Sequence, residues 1–427
     1  MMKINAIVKA IKAYSKVTDY AVKEVCSNTV EQFYDLQKLE TTRITKTVES
    51  EVKIYTKFEE DGKKYLGNAS FIVSHKLSKK ELNALIEDAI YQASFVKNEY
   101  YELPSGDKKR SFSQKEEEKD AFSILEDISK IFFSQKTDEC MFNSLECFFT
   151  EEIVHLVNSK GVDYKKKVHK IEVEAIPSFK KGEKRIDACE LYRMFNYDKF
   201  DEKKVTEDAK GAISDVINRS KAIKRSGALK ANVILKKEHL YQMFDEIISA
   251  YSYSSVYNHT NYKNKGDKIQ ENPKCPLNIS LIPESKADYF DSDGVLLKET
   301  LVIKDGVVNE YYGNNRFAYY LNTKPSGTMY TIKAKEGKLK YENMKKKPYI
   351  EIIDLSGLQV DLFGDYIGGE VRLANYFDGK DTYPITAFSF SGSLQEVINN
   401  LDLSKEKTKI KDYVGPKYAL LKDLDIL

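Results

Sequence analysis

The chain has 427 residues, of which 41% are apolar and 31% charged; this is enough for two or three domains with buried cores and excludes a disordered chain. Its 68 basic and 66 acidic residues leave a net charge of +2, with lysines interleaved among Asp and Glu, so neither nucleic acid nor an acidic partner is implied. No stretch approaches the roughly 18 apolar residues of a membrane span.

The N-terminal "MMKINAIVKAIKAYSKV" has apolar residues at helical spacing and lysines throughout. It lacks the unbroken apolar run of a signal peptide. Residues 3–18 are expected to form an amphipathic helix. Farther on, "EVKIYTKF" and "YLGNASFIV" alternate in the manner of strands, and "EDGKK" between them is a hairpin turn. Ser78, with Glu81 three residues later, forms a capping box. The helix it opens carries Leu82, Leu85, Ile86, Ala89 and Ile90 on one face.

Residues 101–120, "YELPSGDKKRSFSQKEEEKD", are polar and turn-rich and read as a linker. The helix "AFSILEDISKIFFSQ" follows. The earlier order then returns. "VHKIEVEAIPSFKKGEKRIDACELYRMF" is a strand, a turn at "KKGEK" and a strand. A helix follows with Val205, Ala209, Ala212, Ile213 and Val216 on one face. The pattern therefore occurs near 44–97 and near 152–222.

After residue 225 comes a strand and a single helix, then short β-like runs separated by turns such as "KDGVV" and "FDGKDT". The fold class is α+β: a duplicated α/β unit in the N-terminal half, then a β-rich, mainly antiparallel domain. The expected domains are 1–105, 106–224 and 225–427.

Gly364, Gly368 and Gly369 in "GDYIGGE" raise the question of a phosphate loop. The spacing fails GxGxxG, no Lys-Ser/Thr follows, and Asp365 and Glu370 flank the stretch. A strand comes next, where a phosphate loop would feed a helix N-terminus. A tight turn or bulge between strands is the expectation.

The five cysteines, Cys26, Cys140, Cys147, Cys189 and Cys275, are scattered without a CxxC pair. Free thiols in a reducing, cytoplasmic setting are expected. Cys275 has no neighbouring His and reads as an inert thiol. The five histidines, His75, His155, His169, His239 and His259, are each more than ten residues from the next. No metal pair at helical spacing exists. No Ser/His/Asp arrangement is legible either, so no catalytic residue and no cofactor is assigned.

Twenty-nine tyrosines stand against no tryptophan, with dense stretches "SAYSYSSVYNHTNY" and "NEYYGNNRFAYY". A half-buried strand and loop face explains them. So does a surface that grips extended peptide or a partner subunit. Tyr251, Tyr253, Tyr257, Arg316 and Tyr319 are the candidate contacts.

"LSGLQVDLFGDYIGGEVRLANYFDGKDTYPITAFSFSGSL" resembles the C-terminal block of the TldD/PmbA family, once called modulators of DNA gyrase. "GNNRFAYYLNTKPSG" (313–327) resembles that family's Arg-containing loop, and "RITKTVESEVKIYTKFEEDGKKYLGNAS" its N-terminal block. The resemblance implies a two-part peptidase. One branch, TldD, carries a zinc helix of the form HExxxH. The other, TldE or PmbA, pairs with it and lacks that helix. The pair degrades or trims unfolded and precursor peptides in a sheet-lined chamber.

Laid without gaps on "KKEHLYQMFDEIISAYS", HExxxH places its first ligand on Asp245, its glutamate on Glu246 and its last ligand on Ala250. The metal pair is gone. Asp245 and Glu246, adjacent on a helix, point about 100° apart and do not share one site; a solvated helix start or cap is the plainer reading. The resemblance therefore implies a non-catalytic TldE/PmbA-like subunit without metal, which binds unfolded or precursor peptides and completes the proteolytic chamber with a TldD-like catalytic subunit or a second copy of itself. The alternatives are a self-sufficient hydrolase and a gyrase-linked binding protein; the absence of a basic stripe weighs against direct DNA contact.

Overall fold

The computed structural model describes every residue except 1–3, 75, 182–183, 187–189, 284–288 and 411, and gives only the backbone of 181 and 184–186. His75, Cys189 and the centre of the expected "KKGEK" turn fall outside the described residues.

The N-terminal half runs α1 (Ile4–Ile11), β1 (Asp19–Asp35), β2 (Lys38–Glu60), β3 (Lys63–Ser74), α2 (Lys79–Ala93), β4 (Arg110–Ser113), α3 (Ala121–Ser134), β5 (Cys140–Asn158), β6 (Asp163–Lys181), β7 (Lys184–Ile186), β8 (Arg193–Tyr197) and α4 (Glu202–Lys221). All eight strands form one sheet in the order β3-β2-β1-β5-β6-β4, with β7 and β8 also on β6. β1 and β5 meet antiparallel at its centre. There Thr29 lies opposite Thr150, with their hydroxyls 3.1 Å apart. Each side of this line repeats helix, long hairpin, further strand pairing and helix, as α1-β1-β2-β3-α2 and α3-β5-β6-β7-β8-α4, so the halves are related by a pseudo-two-fold axis through the sheet.

Both helix pairs lie on the same face of the sheet. Ile7, Ile11, Leu82 and Ile86 from α1 and α2 pack on Val22, Val52 and Ile54. Ile124, Phe132, Val205 and Val216 from α3 and α4 pack on Val30, Phe149 and Ile171. Because side chains alternate along a strand, the other face is left to polar residues such as Lys23, Thr29, Glu31, Arg43 and Thr150.

The expected duplication is present, and each copy starts earlier than the sequence pattern indicated, with α1–β1 and α3–β5. The reason is the hairpin at Leu36–Gln37. Both residues take left-handed φ values of 45° and 72°, and no Gly or Asn announces the turn. The Asp61–Gly62 turn behaves as anticipated, with φ of 53° and 72°. Ser78 closes the expected capping box with Glu81. The segment 101–120 departs from the linker reading. It contributes β4, which pairs in parallel with β6, and it buries Tyr101 and Leu103 at 5% and 8% exposure.

The second half comprises β9 (Ile223–Lys224), β10 (Leu229–Lys236), α5 (Lys237–Ser249), α6 (Tyr253–Tyr257), β11 (Ile279–Ile282), β12 (Thr300–Lys304), β13 (Val307–Val308), α7 (Asn315–Tyr320), β14 (Thr331–Ala334), α8 (Tyr341–Met344), β15 (Tyr349–Asp361), β16 (Tyr366–Phe377), β17 (Thr382–Thr386), β18 (Phe388–Gly392), α9 (Leu394–Asn400), β19 (Asp402–Leu403), β20 (Lys407–Ile410), β21 (Tyr413–Pro416) and β22 (Tyr418–Ile426). Two sheets result, β15-β10-β22-β18-β16-β17-β9 and β13-β12-β11-β14-β21-β20, mostly antiparallel. α5 shares one core with both, through Phe244, Ile247, Val302, Ile350, Tyr413 and Leu421. The halves are tied by Arg193 on β8, which donates to Asp215 on α4 at 3.2 Å and to Asp354 on β15 at 3.0 Å.

The glycine-rich stretch is a hairpin. Its turn spans 362–365, and the left-handed residue is Asp365 (φ 50°), not a glycine. Gly368 and Gly369 lie inside β16. A Cβ on Gly368 would come within 2.7 Å of the Phe390 carbonyl, and one on Gly369 within 2.6 Å of the Gly357 carbonyl. These glycines permit close approach of strands beside the register shifts in β15. The turn amides of Phe363 and Gly364 both donate to Asp361 Oδ1 at 2.9 Å, so they are already engaged by a carboxylate and cradle no phosphate.

Candidate functional site

α5 buries His239, Leu240, Met243, Phe244, Ile247 and Ile248. This stripe at three- and four-residue spacing is what the sheets require of a core helix. Asp245 and Glu246 lie on the opposite, exposed side, in the second half of the helix rather than at its start. Ala250 is the C-cap residue and is 8% exposed. The Asp245 carboxyl is raised, first by burial and then by the charge of Glu246. His239 is buried on the core side; burial holds its imidazole down at about 4, with Glu238 opposing, and its Nδ1 has no partner among the described residues.

A loop from Tyr311 to Tyr330 folds against the C-terminal end of α5. Tyr253 N donates to Tyr312 O at 2.6 Å, and Tyr312 N to Tyr251 O at 3.4 Å. Gly313 N donates to Ser326 Oγ at 3.0 Å, and Gly327 N returns to Gly313 O at 3.0 Å. Gly313 is required here: its φ is 151°, and a Cβ would stand 3.0 Å from the Tyr253 ring. Tyr253 OH closes the loop by donating to Lys324 O at 3.1 Å. The Tyr312 and Tyr330 rings meet edge to face at 5.8 Å. Burial, with Asp245 adding its charge, pushes the Tyr312 phenol up.

Behind this loop, Asp291 is 2% exposed. Its Oδ1 accepts from Asp293 N and Val295 N at 3.0 and 2.9 Å. Its Oδ2 has no partner among the described residues. Burial, then the neighbouring Asp293, raises the carboxyl to about 6. Tyr251 OH is a second buried group without a partner among the described residues.

The candidate contacts divide into two groups. Tyr251 and Tyr253, at 0% and 5% exposure, belong to the core beside α5. Tyr257, Arg316 and Tyr319 form the joint with the N-terminal half. Tyr257 OH donates to Glu99 Oε2 at 3.2 Å. Arg316 donates to Asn98 Oδ1 at 3.0 Å and lies over the Phe317 ring at 4.6 Å. Tyr319 meets Tyr100 edge to face at 6.3 Å, and retains 43% exposure. Next to this joint, Lys23, Lys53, Tyr55, Asn158, Asp293 and Asn315 line a cleft of about 90 Å³ between the polar sheet face and the second half.

The donors at α5 do not suit zinc. The position has two carboxylates on diverging faces and an alanine, with no imidazole or thiolate. Among the described residues no group of three or more His, Cys, Asp and Glu side chains is gathered to hold a metal. Cys26, Cys147 and Cys275 are free thiols; burial raises all three, which weakens them as nucleophiles. Sequence reasoning missed Asp291, Tyr312 and Tyr330. The "DSDG" turn around Asp291 carried a signal, since Asp at the head of such a turn caps its own backbone; the tyrosines carried none beyond their density. No helix among the described residues is long and apolar enough to cross a membrane.

Comparison with known proteins falls on this same half. Residues 228–426 match the PmbA/TldA metallopeptidase C-terminal domain. A protein from Buchnera aphidicola named as a metalloprotease PmbA homolog is 26% identical over 201 residues, which cover 42% of this chain and 44% of that protein. Solved structures extend the likeness to the whole fold. TldE from Thermococcus kodakarensis superposes with a TM-score of 0.78 at 14% identity, over 99% of both chains. A Thermotoga maritima protein named as a candidate modulator of a DNA gyrase gives 0.77 at 14% identity, over 100% of both. A similarly named Bacteroides thetaiotaomicron protein gives 0.75 at 15%, over 100% of this chain and 99% of that one.

Proposed function

We propose that this chain is a non-catalytic subunit of a PmbA/TldD-type peptidase. In this reading it binds unfolded or precursor peptides in the cytoplasm and completes a proteolytic chamber with a metal-bearing, TldD-like subunit or with a second copy of itself. The observation that carries the reading is α5. It occupies a well-packed place in a domain of the metallopeptidase family, yet offers exposed Asp245 and Glu246 and buried Ala250 where the resemblance calls for a zinc pair. The polar sheet face and the tyrosine-lined joint supply the remaining chemistry: hydrogen-bonding side chains and flat, rigid contact area suited to an extended chain.

The test is metal analysis of the purified chain, with peptidase assays on a denatured polypeptide, alone and with a metal-bearing family member encoded in the same genome. No stoichiometric zinc, no chelator-sensitive cleavage alone, and cleavage gained by the mixture are expected. About one zinc per chain with chelator-sensitive cleavage by the chain alone overturns the reading.

A further inference from the structure

We infer that the outer edge of β2 over Lys38–Thr47 takes up an extended peptide strand, running parallel to β2. This rests on the proposed peptide-handling role and locates it on one edge of one sheet.

The pseudo-two-fold axis makes the two copies a controlled comparison. On β6, the stretch after the hairpin turn is covered by β4, in parallel register from Arg110 opposite Tyr164 to Ser113 opposite Lys167. The next stretch is covered by β8, from Ile171 to Ala175. On β2, the far stretch Glu49–Glu60 is likewise covered, by β3. The near stretch is not: among the described residues nothing pairs with Lys38–Thr47 on the side away from β1. Among the described residues the first copy shows no counterpart of β4.

Ten residues of open edge present about 33 Å of unpaired amides and carbonyls. Natural sheets shield such edges with charged side chains, above all lysine, or with proline, short strands and bulges. This one carries Lys38, Glu40, Arg43 and Lys46 but neither proline nor glycine, and between the charges it is built of strand formers, Thr41, Thr42, Ile44, Thr45 and Thr47. Leu39 and Ile44 stand 46% and 55% exposed, opposite Tyr34 and Val30 of β1, both of which belong to the buried core. A strand laid on the edge would prolong that core by one row. β4 illustrates the fitting composition, with half-buried Phe112 between exposed Ser111 and Ser113. Lys38 is paired with Glu40 and Arg43 with Glu31, which leaves Lys46 as the cation of the stretch outside these pairs, so a neutral or weakly acidic peptide is favoured. The parallel sense argues against self-pairing, because two copies related by a two-fold axis would join this edge antiparallel.

The probe is a fluorescein-labelled octapeptide that alternates serine with valine or phenylalanine and ends in glutamate, titrated against the whole chain by anisotropy. Saturable binding is expected, weakened tenfold or more by Ile44→Lys and by Leu39→Lys. Ile72→Lys, on the exposed face of β3 (55% exposed), should leave it unchanged. Alternate N-methylation of the peptide in one register should abolish binding. A benzophenone at the peptide N-terminus should crosslink near Lys38. Wild-type affinity in both edge variants, equal loss in Ile72→Lys, crosslinking at the Thr47 end, or dimerisation through the edge in place of peptide binding overturns the inference. Failure here, with cleavage still gained by the mixed subunits, removes the edge and leaves the proposed function intact. Binding without such cleavage does the reverse.

Discussion

The two copies of the N-terminal repeat reach one topology with different materials. The first seats its helices with aliphatic side chains, Ile7, Ile11, Leu82 and Ile86. The second uses aromatics as well: Phe132 of α3 meets Phe142 at 5.0 Å and Phe195 at 5.6 Å. The first opens its second helix with a serine capping box, the second with Asp201. Among the described residues the first leaves an edge bare where the second covers it. The alternation of apolar positions and the order of the elements are what both share, and they suffice for the fold. Residue identity and edge cover were free to diverge.

The largest effect should expose that difference in packing. Phe132 and Ile7 are both fully buried. Phe132→Ala should cost about 3–5 kcal/mol and Ile7→Ala about 1 kcal/mol less, in keeping with the cavity each leaves. Urea denaturation of the two variants measures this. Equal losses would mean the aromatic layer is no more tightly filled than the aliphatic one.

A second contrast sets the regular N-terminal sheet against the irregular β15–β16 ribbon. Gly368→Val should cost about 1–3 kcal/mol, because the Phe390 carbonyl sits where the side chain must go. Gly357 has nothing within 4 Å of its Cβ position, so Gly357→Ala should stay within about 0.5 kcal/mol. ATP should not move the wild-type melting temperature. An ATP-dependent rise that Gly368→Val abolishes would restore a phosphate-loop reading.

The turn at Asp291 touches both copies. Phe290 packs on Val154 and Tyr164 of the second, and the charge of Asp293 bears on Tyr55 and Tyr101 beside the first. With its carboxyl raised from 3.8 to about 6, folded Asp291 holds a proton that the unfolded chain releases. Its contribution favours folding fully below about pH 4 and is lost as pH rises through 6. Asp291→Asn should therefore stabilise the protein at pH 7 by about 1–3 kcal/mol, with the gain fading toward pH 4. His239 works in the opposite sense. Held at about 4, it contributes above pH 6.5 and loses that contribution as pH falls. Melting temperatures of wild type and Asp291→Asn from pH 4 to 7.5 separate the two; a gain that does not shrink in acid would refute the assignment to Asp291.

The legible parts of the molecule are those whose signals are local. Asp61–Gly62, Asp305–Gly306, the Ser78 cap and the apolar stripes of α2 and α4 each needed only a few neighbouring residues to read. The Leu36–Gln37 turn was silent because left-handed φ there is held by the pairing of β1 with β2 and β5, not by residue type. β4 was hidden in a charged stretch because its partner, β6, lies some fifty residues away. At the candidate site, α5 was readable as a helix, whereas Asp291 and Tyr330 come together with α5 only through tertiary packing. Tyr257, Arg316 and Tyr319 were legible as a sticky surface; their engagement with Asn98, Glu99 and Tyr100 depended on where the first copy's second helix ends.

The smallest effect bears on how each copy starts its second helix. Ser78 Oγ accepts from Glu81 N at 3.2 Å while Ser78 N donates to Glu81 Oε2 at 2.7 Å. Asp201 Oδ1 accepts from Lys204 N at 3.1 Å, without a reciprocal partner. Ser78→Ala removes the first of the paired bonds and leaves the second, so its cost should be about 1 kcal/mol. Asp201→Ala removes its cap bond and a negative charge at the positive end of the helix dipole, so its cost should be slightly greater, by about 0.3 kcal/mol. Salt distinguishes the two causes: the Asp201→Ala loss should shrink at 1 M sodium chloride, where the charge is screened within about 3 Å, and the Ser78→Ala loss should not. Equal salt response in both variants would show that the copies cap their helices by the same hydrogen-bond energetics, with no part played by charge.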